Sequence, residues 1–452
     1  SGSGASLTNL PAANVTGTLP AISGANLTNL PAANLTGALP AISGANLTGI
    51  AATDNVRTGI LDVAGISTFR NTMNVGAAVT ISESGIEASG IGITVANING
   101  NQVGGRRNII INGAMQVAQR GTSFSSNNSA HYMLDRFRSE ANNDGAFTIS
   151  QSTTAPDGFT KSLKVDITST DTSLATDQYQ QITYKVEAQD LQHLSYGTSA
   201  AKTITLSFYV RSNKTGNYNF VYEQPDNGNR LASYQYTINS ADTWERKVIT
   251  TAGDTSGVIN DDTGAGFNMK WGLAYGDTYS SGVNTNQWAA QSNANFGAGQ
   301  DVNLLDSTSN EWYITGVQLE VGSQATAFEH RSFGEELALC RRYYRVFQDG
   351  SGGGCYMGAV SYNYDVNSVV TQVNFSPEMR ATPTLDNTSG TNYYRFYRNS
   401  GYVDINAMNA INGMTKYGGG FNNSDSGSGT AGQTGGISLN NTSAKIAFDA
   451  EI

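Results

Sequence analysis

The feature that most constrains this chain is a repeat near its start. Residues 7–26 read LTNLPAANVTGTLPAISGAN and residues 27–46 read LTNLPAANLTGALPAISGAN. The two blocks differ only at Val15/Leu35 and Thr18/Ala38, and a third begins at Leu47 with LTGI. A fixed period means one structural unit stacked on the next along an axis. Each unit has little to bury: Leu7, Leu10, Val15, Leu19 and Ile22 stand among small residues, with Pro11 and Pro20 between them. Prolines at that frequency exclude a long helix and interrupt a sheet ladder. Alone, such a unit cannot offset the ~1–2 kcal/mol of backbone entropy lost per ordered residue. The repeat therefore requires partners, most simply identical copies wound around one axis.

Composition points to assembly more than to catalysis. Of 452 residues only 14% are charged, and Gly alone accounts for 51. That balance suits β-structure and turns with a neutral polar surface. The net charge of −10, with no basic stripe, argues against nucleic acid as a partner. No apolar run approaches the ~20 residues of a membrane span, so membrane insertion is not expected. The chain opens on Ser1 rather than Met, so an upstream part is expected. Cys340 and Cys355 are too few for a disulfide scaffold; they close one small loop or remain free thiols.

The texture of the chain divides it. Residues 1–50 carry the period. Residues 51–105 alternate short β-branched pieces with Gly, which three chains could interleave into a narrow β-prism or triple β-helix without free edges; together these read as a stalk. From 106 to 331, strands with clean two-residue alternation are separated by turn signals, as in TITLSFYV (203–210), FNMKWGLAYG (267–276) and EWYITGVQLEV (311–321). Many such strands without a helical pattern predict an antiparallel, jelly-roll β-sandwich. A helix is predicted over 332–347: Ser332 and Glu335 have capping-box spacing, and Phe333, Leu337, Cys340, Tyr344 and Phe347 recur on one face. That face either docks on its own sandwich or joins a three-fold bundle. Residues 348–452 read as a small terminal β-sandwich, with GGGFNNSDSGSGTAGQTGG (418–436) as a loop. The fold class is thus mainly β.

Several stretches are similar to tail-fibre proteins of bacteriophages, most closely those of marine, cyanobacteria-infecting phages. They are NIIINGAMQVAQRG (108–121), YMLDRFR (132–138), ITGVQLEVGSQATAFEHRSFGEELALCRRYYRVF (314–347), FSPEMRATPT (375–384) and the closing FDAEI. The resemblance implies a homotrimeric fibre on the virion tail, made in the host cytoplasm. Its N-terminal end would meet an upstream tail or baseplate protein and its C-terminal end the host. It also implies a central domain of the carbohydrate-binding, jelly-roll type. The function expected is host recognition and adhesion through cell-surface polysaccharide. The alternatives are a purely structural fibre that binds another virion protein and a polysaccharide depolymerase.

No catalytic pattern stands out. His131, His193 and His330 lack metal-ligand spacing, and no GxSxG elbow or phosphate-cradling loop occurs. No cofactor is expected except a structural calcium, for which QPDNGN (224–229) and NDDTGAG (260–266) offer Asp226, Asp261 and Asp262; plain polar turns are the other reading. Binding chemistry is better supplied, because the chain has 22 Tyr and a tyrosine presents a flat apolar face with a hydroxyl at its rim. The densest cluster is Tyr393, Tyr394, Arg395, Tyr397, Arg398 and Tyr402, with alternation placing Tyr393, Arg395 and Tyr397 on one face and Tyr394, Phe396 and Arg398 on the other, one of the two faces being core. In the jelly roll, Tyr222, Tyr234, Tyr236, Trp271 and Tyr275 either line a concave sheet or pack the interior.

Overall fold

The computed structural model describes residues 106–452, apart from 127, 129, 227, 352–353, 358, 400, 411–412 and 424–428, together with five short strands before residue 106. The 20-residue repeat lies outside the described residues. The chain divides into two compact units, 1–92 and 93–452. In the first, Met73–Val75, Val79–Ser82 and Gly85–Ala88 pair antiparallel in sequence order, as short β-branched pieces between glycines should. In the second, Asn97–Ile98 and Asn101–Gln102 form a two-stranded pair.

Two antiparallel sheets form the sandwich. The first has six strands in the order Glu245–Thr251, Ile204–Ser212, Glu311–Val321, Ser162–Ser169, Ala146–Ser152, Ser123–Ser126. The second has seven: Ala289–Ala290, Arg230–Ile238, Gly216–Gln224, Ala265–Tyr275, Tyr179–Glu187, Phe137–Asn142, His131–Tyr132. Beside three pairs of consecutive strands, the other neighbours are distant in sequence, such as Ile204–Ser212 beside Glu311–Val321 and Tyr179–Glu187 beside Ala265–Tyr275, as in a jelly roll. Alternation sets the interior: Ile204, Leu206, Phe208 and Val210 face Phe267, Met269, Trp271 and Leu273 across one continuous apolar core.

The helix is half its expected length. It spans Phe333–Cys340, opened by the capping box in which Ser332 and Glu335 each accept from the other's backbone N–H. After the turn Arg341–Tyr343 the chain becomes the strand Tyr344–Asp349. YYRVF satisfied helical spacing, but aromatic and β-branched residues pair as well in a ladder, and Lys445–Asp449 is there to pair with. Tyr344 and Phe347 therefore belong to the terminal domain. Of the proposed helical face, Cys340 is a buried free thiol, Leu337 is half-buried, and Phe333 is 56% exposed. The helix is held instead through Glu336 and Cys340; Glu336 accepts from the Asn112 amide at 2.5 Å.

The terminal domain packs a three-stranded sheet, Tyr344–Asp349, Lys445–Asp449 and Thr384–Asn387, on a larger one that carries Tyr394–Arg398, Gly401–Ile405, Thr434–Leu439, Ser361–Asn363, Val369–Asn374 and Gly418–Asn423. Its core, with Tyr394, Phe396, Phe421, Ile437 and Phe448, is separate from that of the first sandwich. The stretch expected as a loop at 418–436 supplies two of these strands. Glycine is required at Gly418, where φ is +145° and a Cβ would lie 2.4 Å from the Val373 carbonyl oxygen. Close backbone approach took the place of apolar side chains, and alternation had nothing to report.

The two sandwiches share a polar seam inside one compact unit. Arg136, buried in the first, pairs with Glu451 of the second. Arg120 bridges Asp449 at 3.0 Å and Glu451 at 3.4 Å. Arg342 grips Glu187 with two bonds of 3.1 and 2.7 Å, and the Tyr343 hydroxyl donates to the same carboxylate at 2.8 Å. A cavity of about 550 Å³ opens beside it, lined by Arg106 and Arg107 as well as by Pro377, Glu378 and Lys416. Arg106 thus lies between the two sandwiches.

Candidate functional site

The outer face of the seven-stranded sheet carries a groove. Along Tyr179–Glu187, Ile182, Tyr184 and Val186 point into the core, so Tyr179, Gln181, Thr183 and Lys185 point out. The register sets Glu140 beside Gln181 and Arg138 beside Thr183 on one neighbouring strand. On the other it sets Lys270 beside Thr183 and Asn268 beside Lys185, and Glu223 follows opposite Asn268. Side-chain amides and paired charges therefore make the floor of a groove of about 190 Å³, walled by Tyr179, Tyr275, Tyr279 and Phe296.

The wall is built by the segment after Tyr275, which folds back over the sheet. Asn219 anchors it, donating through Nδ2 to the Phe296 and Ala298 carbonyls at 3.2 and 3.0 Å. The Tyr275 ring lies down on Gly272, where a Cβ would be only 2.1 Å from its Cε2. Flat on the sheet, Tyr275 donates through its hydroxyl to Gln181 Oε1 at 2.7 Å. Tyr179 and Tyr279 meet edge to face with centroids 5.2 Å apart.

Each carboxylate in the groove has its own cation. Glu223 accepts from Lys270 Nζ at 2.9 Å, Asn268 Nδ2 at 2.8 Å and Gln291 Nε2 at 2.9 Å. Glu140 pairs with Arg138 at 3.0 Å and accepts from Gln181 Nε2 at 3.0 Å. Lys270 also sits 4.5 Å from the centre of the Phe296 ring. Burial, then the nearby Glu140 carboxylate, pushes the Tyr179 phenol above its ordinary value. Burial, then the Arg138 guanidinium, pulls Lys185 below its own. The groove thus offers neutral phenols, amide groups and charge-paired carboxylates: acceptors and donors for hydroxyl groups, with aromatic faces for C–H surfaces.

Of the residues singled out from the sequence, Tyr275 walls the groove and the others fall elsewhere. Tyr222, Tyr236 and Trp271 are 0%, 5% and 0% exposed, and Trp271 packs against the Phe137, Phe208 and Phe220 rings. Side chains closed off this way present no face to a ligand, which corrects their reading as a concave binding surface. The phase was available in the sequence: Trp271 shares parity with Phe267, Met269 and Leu273, whereas Lys270 has the opposite one. Tyr179 and Gln181 could have been found by the same count. Tyr279 and Phe296 could not, because they lie on a segment without alternation.

In the terminal domain the alternation holds from Tyr394 to Tyr397 and fails at Tyr393, which precedes the strand. Tyr394 is buried under the sheet, its hydroxyl donating to the Lys445 carbonyl at 2.9 Å, so it leaves the candidate cluster. Arg395 and Tyr397 face out beside their partners Asp404 and Tyr402. Arg395 binds Asp404 with bonds of 2.6 and 3.1 Å and stacks 3.8 Å from the centre of the Tyr402 ring; Tyr402 is 59% exposed. Arg398 donates to Asn363 Oδ1 at 2.9 Å, and Tyr393 packs at the edge of the terminal core.

The calcium carboxylates are employed in turns. Asp226 accepts from the Asn260 backbone and side chain at 3.0 and 3.1 Å, tying one turn to the other, and Asp262 accepts from Gly264 N at 2.8 Å. Asp226, Asp261 and Asp262 do not converge, and no three His, Cys, Asp or Glu groups are placed to hold a metal among the described residues. His330 meets Phe328 edge to face and lies tilted against Phe159, with centroids 4.9 and 5.2 Å apart, a packing role. No helix among the described residues is long and apolar enough to cross a membrane.

No family model matches the chain, and no curated protein does. Among solved structures it is similar to the enzymatically active domain of bacteriophage CBA120 tailspike protein 4, with 10% identity over 47% of this chain and 21% of that one, and a TM-score of 0.25. The match thus spans about a fifth of that domain's length. A family 11 carbohydrate-binding module of a Clostridium thermocellum cellulosomal cellulase is similar at 14% identity over 46% of this chain and all of that one, with a TM-score of 0.24. The CBM22-1 xylan-binding domain from Paenibacillus barcinonensis Xyn10C gives 8% identity, 51% of this chain, 100% of that one and a TM-score of 0.24. These scores are low, and the architecture described above rests on its own strand pairings.

Proposed function

We propose that this chain is a homotrimeric fibre of a bacteriophage tail, which attaches the particle to its host by binding cell-surface polysaccharide in the groove of the seven-stranded sheet. The observation that carries the reading is the groove itself: Tyr179 and Tyr279 stand beside Glu140, Gln181, Glu223 and Gln291. Sugar rings need this combination, an aromatic surface for their C–H faces and fixed polar groups for their hydroxyls. The tail-fibre motifs and the repeat support the fibre role. A shallow groove of this size suits a dissociation constant in the millimolar range, about −4 kcal/mol. Three copies on one fibre turn the second and third contacts into intramolecular ones, so avidity exceeds each affinity by ~10²–10⁴. Both groove carboxylates are committed to cations and amides, an arrangement suited to holding hydroxyl groups and less to transferring protons.

The test is binding of the full chain to purified host polysaccharide and to a glycan array. Replacing Tyr179 and Tyr279 by Ala together should weaken binding at least ~10-fold, since stacking contacts of this type are worth ~1 kcal/mol or more each. Tyr402→Ala serves as the comparison. Loss with Tyr402→Ala alone would move the affinity to the terminal sheet, and loss with neither would end the groove reading.

A further inference from the structure

The helix Phe333–Cys340 is a ridge between two hollows. It buries Glu336 and Cys340 and leaves Phe333 56% exposed, with open space around Gly334 and with Glu335 and Ala338 at the surface. One flank, with Ala338 and Leu339, lines the 550 Å³ cavity. The other flank, with Leu337 and Arg341, lines a second cavity of about 440 Å³. The larger cavity has Ile109, Val321, Leu339 and Pro377 in its walls, with charged residues of both signs around them, among them Arg106, Asp190 and Glu378. Arg106 is exposed, and no described residue pairs with it. An apolar knob beside an acid on the ridge thus has a partly apolar hollow to enter, with an unpaired cation in its lining.

We propose that this ridge and this hollow are the contact between copies of the chain, Phe333 of one copy seating in the cavity of the next. The inference rests on the multi-chain reading above and names the surface that serves it. The occupant follows from the 105 residues that precede Arg106. Their repeat cannot bury itself, so the segment that ends at Arg106 is one that requires identical partners. Arg106 stands in the wall of the cavity, and Arg331, next to the helix cap, donates to the Ile110 carbonyl at 2.9 Å. Ridge and hollow therefore lie beside the first described residues after that segment. A knob from one copy in a hollow of the next is a head-to-tail contact, and rotation about the common axis closes it into a ring.

The experiment is disulfide trapping in the full chain with Phe333→Cys and Leu339→Cys combined and oxidised glutathione as oxidant. Six residues apart on one helix, the two positions are ~9 Å apart along its axis, beyond the ~7 Å limit for a bridge; any bridge between them joins two copies. Covalent dimers and trimers on a denaturing gel, absent from the wild type and from Phe333→Cys or Leu339→Cys alone, are expected. Phe333→Asp gives a second readout: a carboxylate in the first turn suits the helix dipole, so the helix survives while the knob is lost. The assembled mass or its melting temperature should fall with Phe333→Asp and stay unchanged with Val283→Asp, a remote exposed position. An assembled chain that gives no cross-link and ignores Phe333→Asp overturns this surface and leaves the multi-chain reading standing. A wild-type chain of monomeric mass overturns both.

Discussion

Removing the Glu451 carboxylate is the most demanding test of the seam. Arg136 is 1% exposed and Glu451 is 3% exposed at their side chains, so neither charge can find water without opening the seam. The guanidinium also donates to the Lys185 carbonyl at 2.6 Å and lies 3.5 Å from the centre of the Tyr343 ring. Burial pulls the Arg136 pKa down, but the Glu451 carboxylate, helped by Tyr343 and Tyr184, outweighs it and the net direction is up. Glu451→Ala leaves a buried charge with one carbonyl and ring faces for company; breaking such a pair costs about 3–5 kcal/mol. Arg120 keeps Asp449, so the damage centres on Arg136. At ~2–4 °C per kcal/mol for units of 150–250 residues and less for longer ones, the melting temperature should fall by on the order of 5–10 °C. Glu451→Gln should behave similarly, because an amide keeps the shape and not the charge. Combining Arg136→Met with Glu451→Leu should recover most of the loss, since an apolar pair needs no desolvation. Calorimetry and denaturant titration of the four chains measure this. A loss below ~1 kcal/mol for Glu451→Ala, or a double variant no better than the single one, would refute the reasoning.

Other outcomes follow from the same geometry. Gly272→Ala should lift the Tyr275 ring off the sheet, break its bond to Gln181 and weaken glycan binding, with far less effect on stability; isothermal titration and a thermal melt separate the two. Trp271→Ala should do the reverse, costing about 3–5 kcal/mol as a core deletion without touching the groove surface. Ser332→Ala should cost about 1 kcal/mol through the lost cap, visible in hydrogen exchange at the first turn of the helix. Burial alone would raise Glu245, but Lys247 and the Ser240 and Asn239 donors outweigh it and hold its carboxyl at about 2. With an unfolded value of about 4.3, its contribution is complete above that pH and is lost as pH falls toward 2. A carboxyl NMR titration with a midpoint near 4.3 would contradict this.

How much was legible depended on whether a residue's role was decided along the chain or across it. Alternation is local, so strands such as Ile204–Ser212 and Glu311–Val321 could be drawn from the sequence, and so could the placing of Arg395 and Tyr397 on one face. The capping box of Ser332 and Glu335 was equally local. The end of the helix was not, because YYRVF suits helix and strand alike and the partner that decided it, Lys445–Asp449, lies a hundred residues later. The glycines of 418–436 were misread for a related reason: their contribution is close approach, which requires a neighbour. Residue type drew attention to Tyr222, Tyr236 and Trp271, yet the core claims such side chains first, and only sheet parity assigned Tyr179, Gln181 and Lys270 to the outer face. The groove depended on more still, since Tyr279 and Phe296 reach it through a segment held down by Asn219, and Glu140 and Glu223 come from strands that only the sheet order brings near each other. The sequence by itself determined the β class and the faces of the strands, both consequences of periodicity. Only the tertiary structure decided which charges are paired and which aromatic rings remain open, because those depend on contacts between residues far apart along the chain.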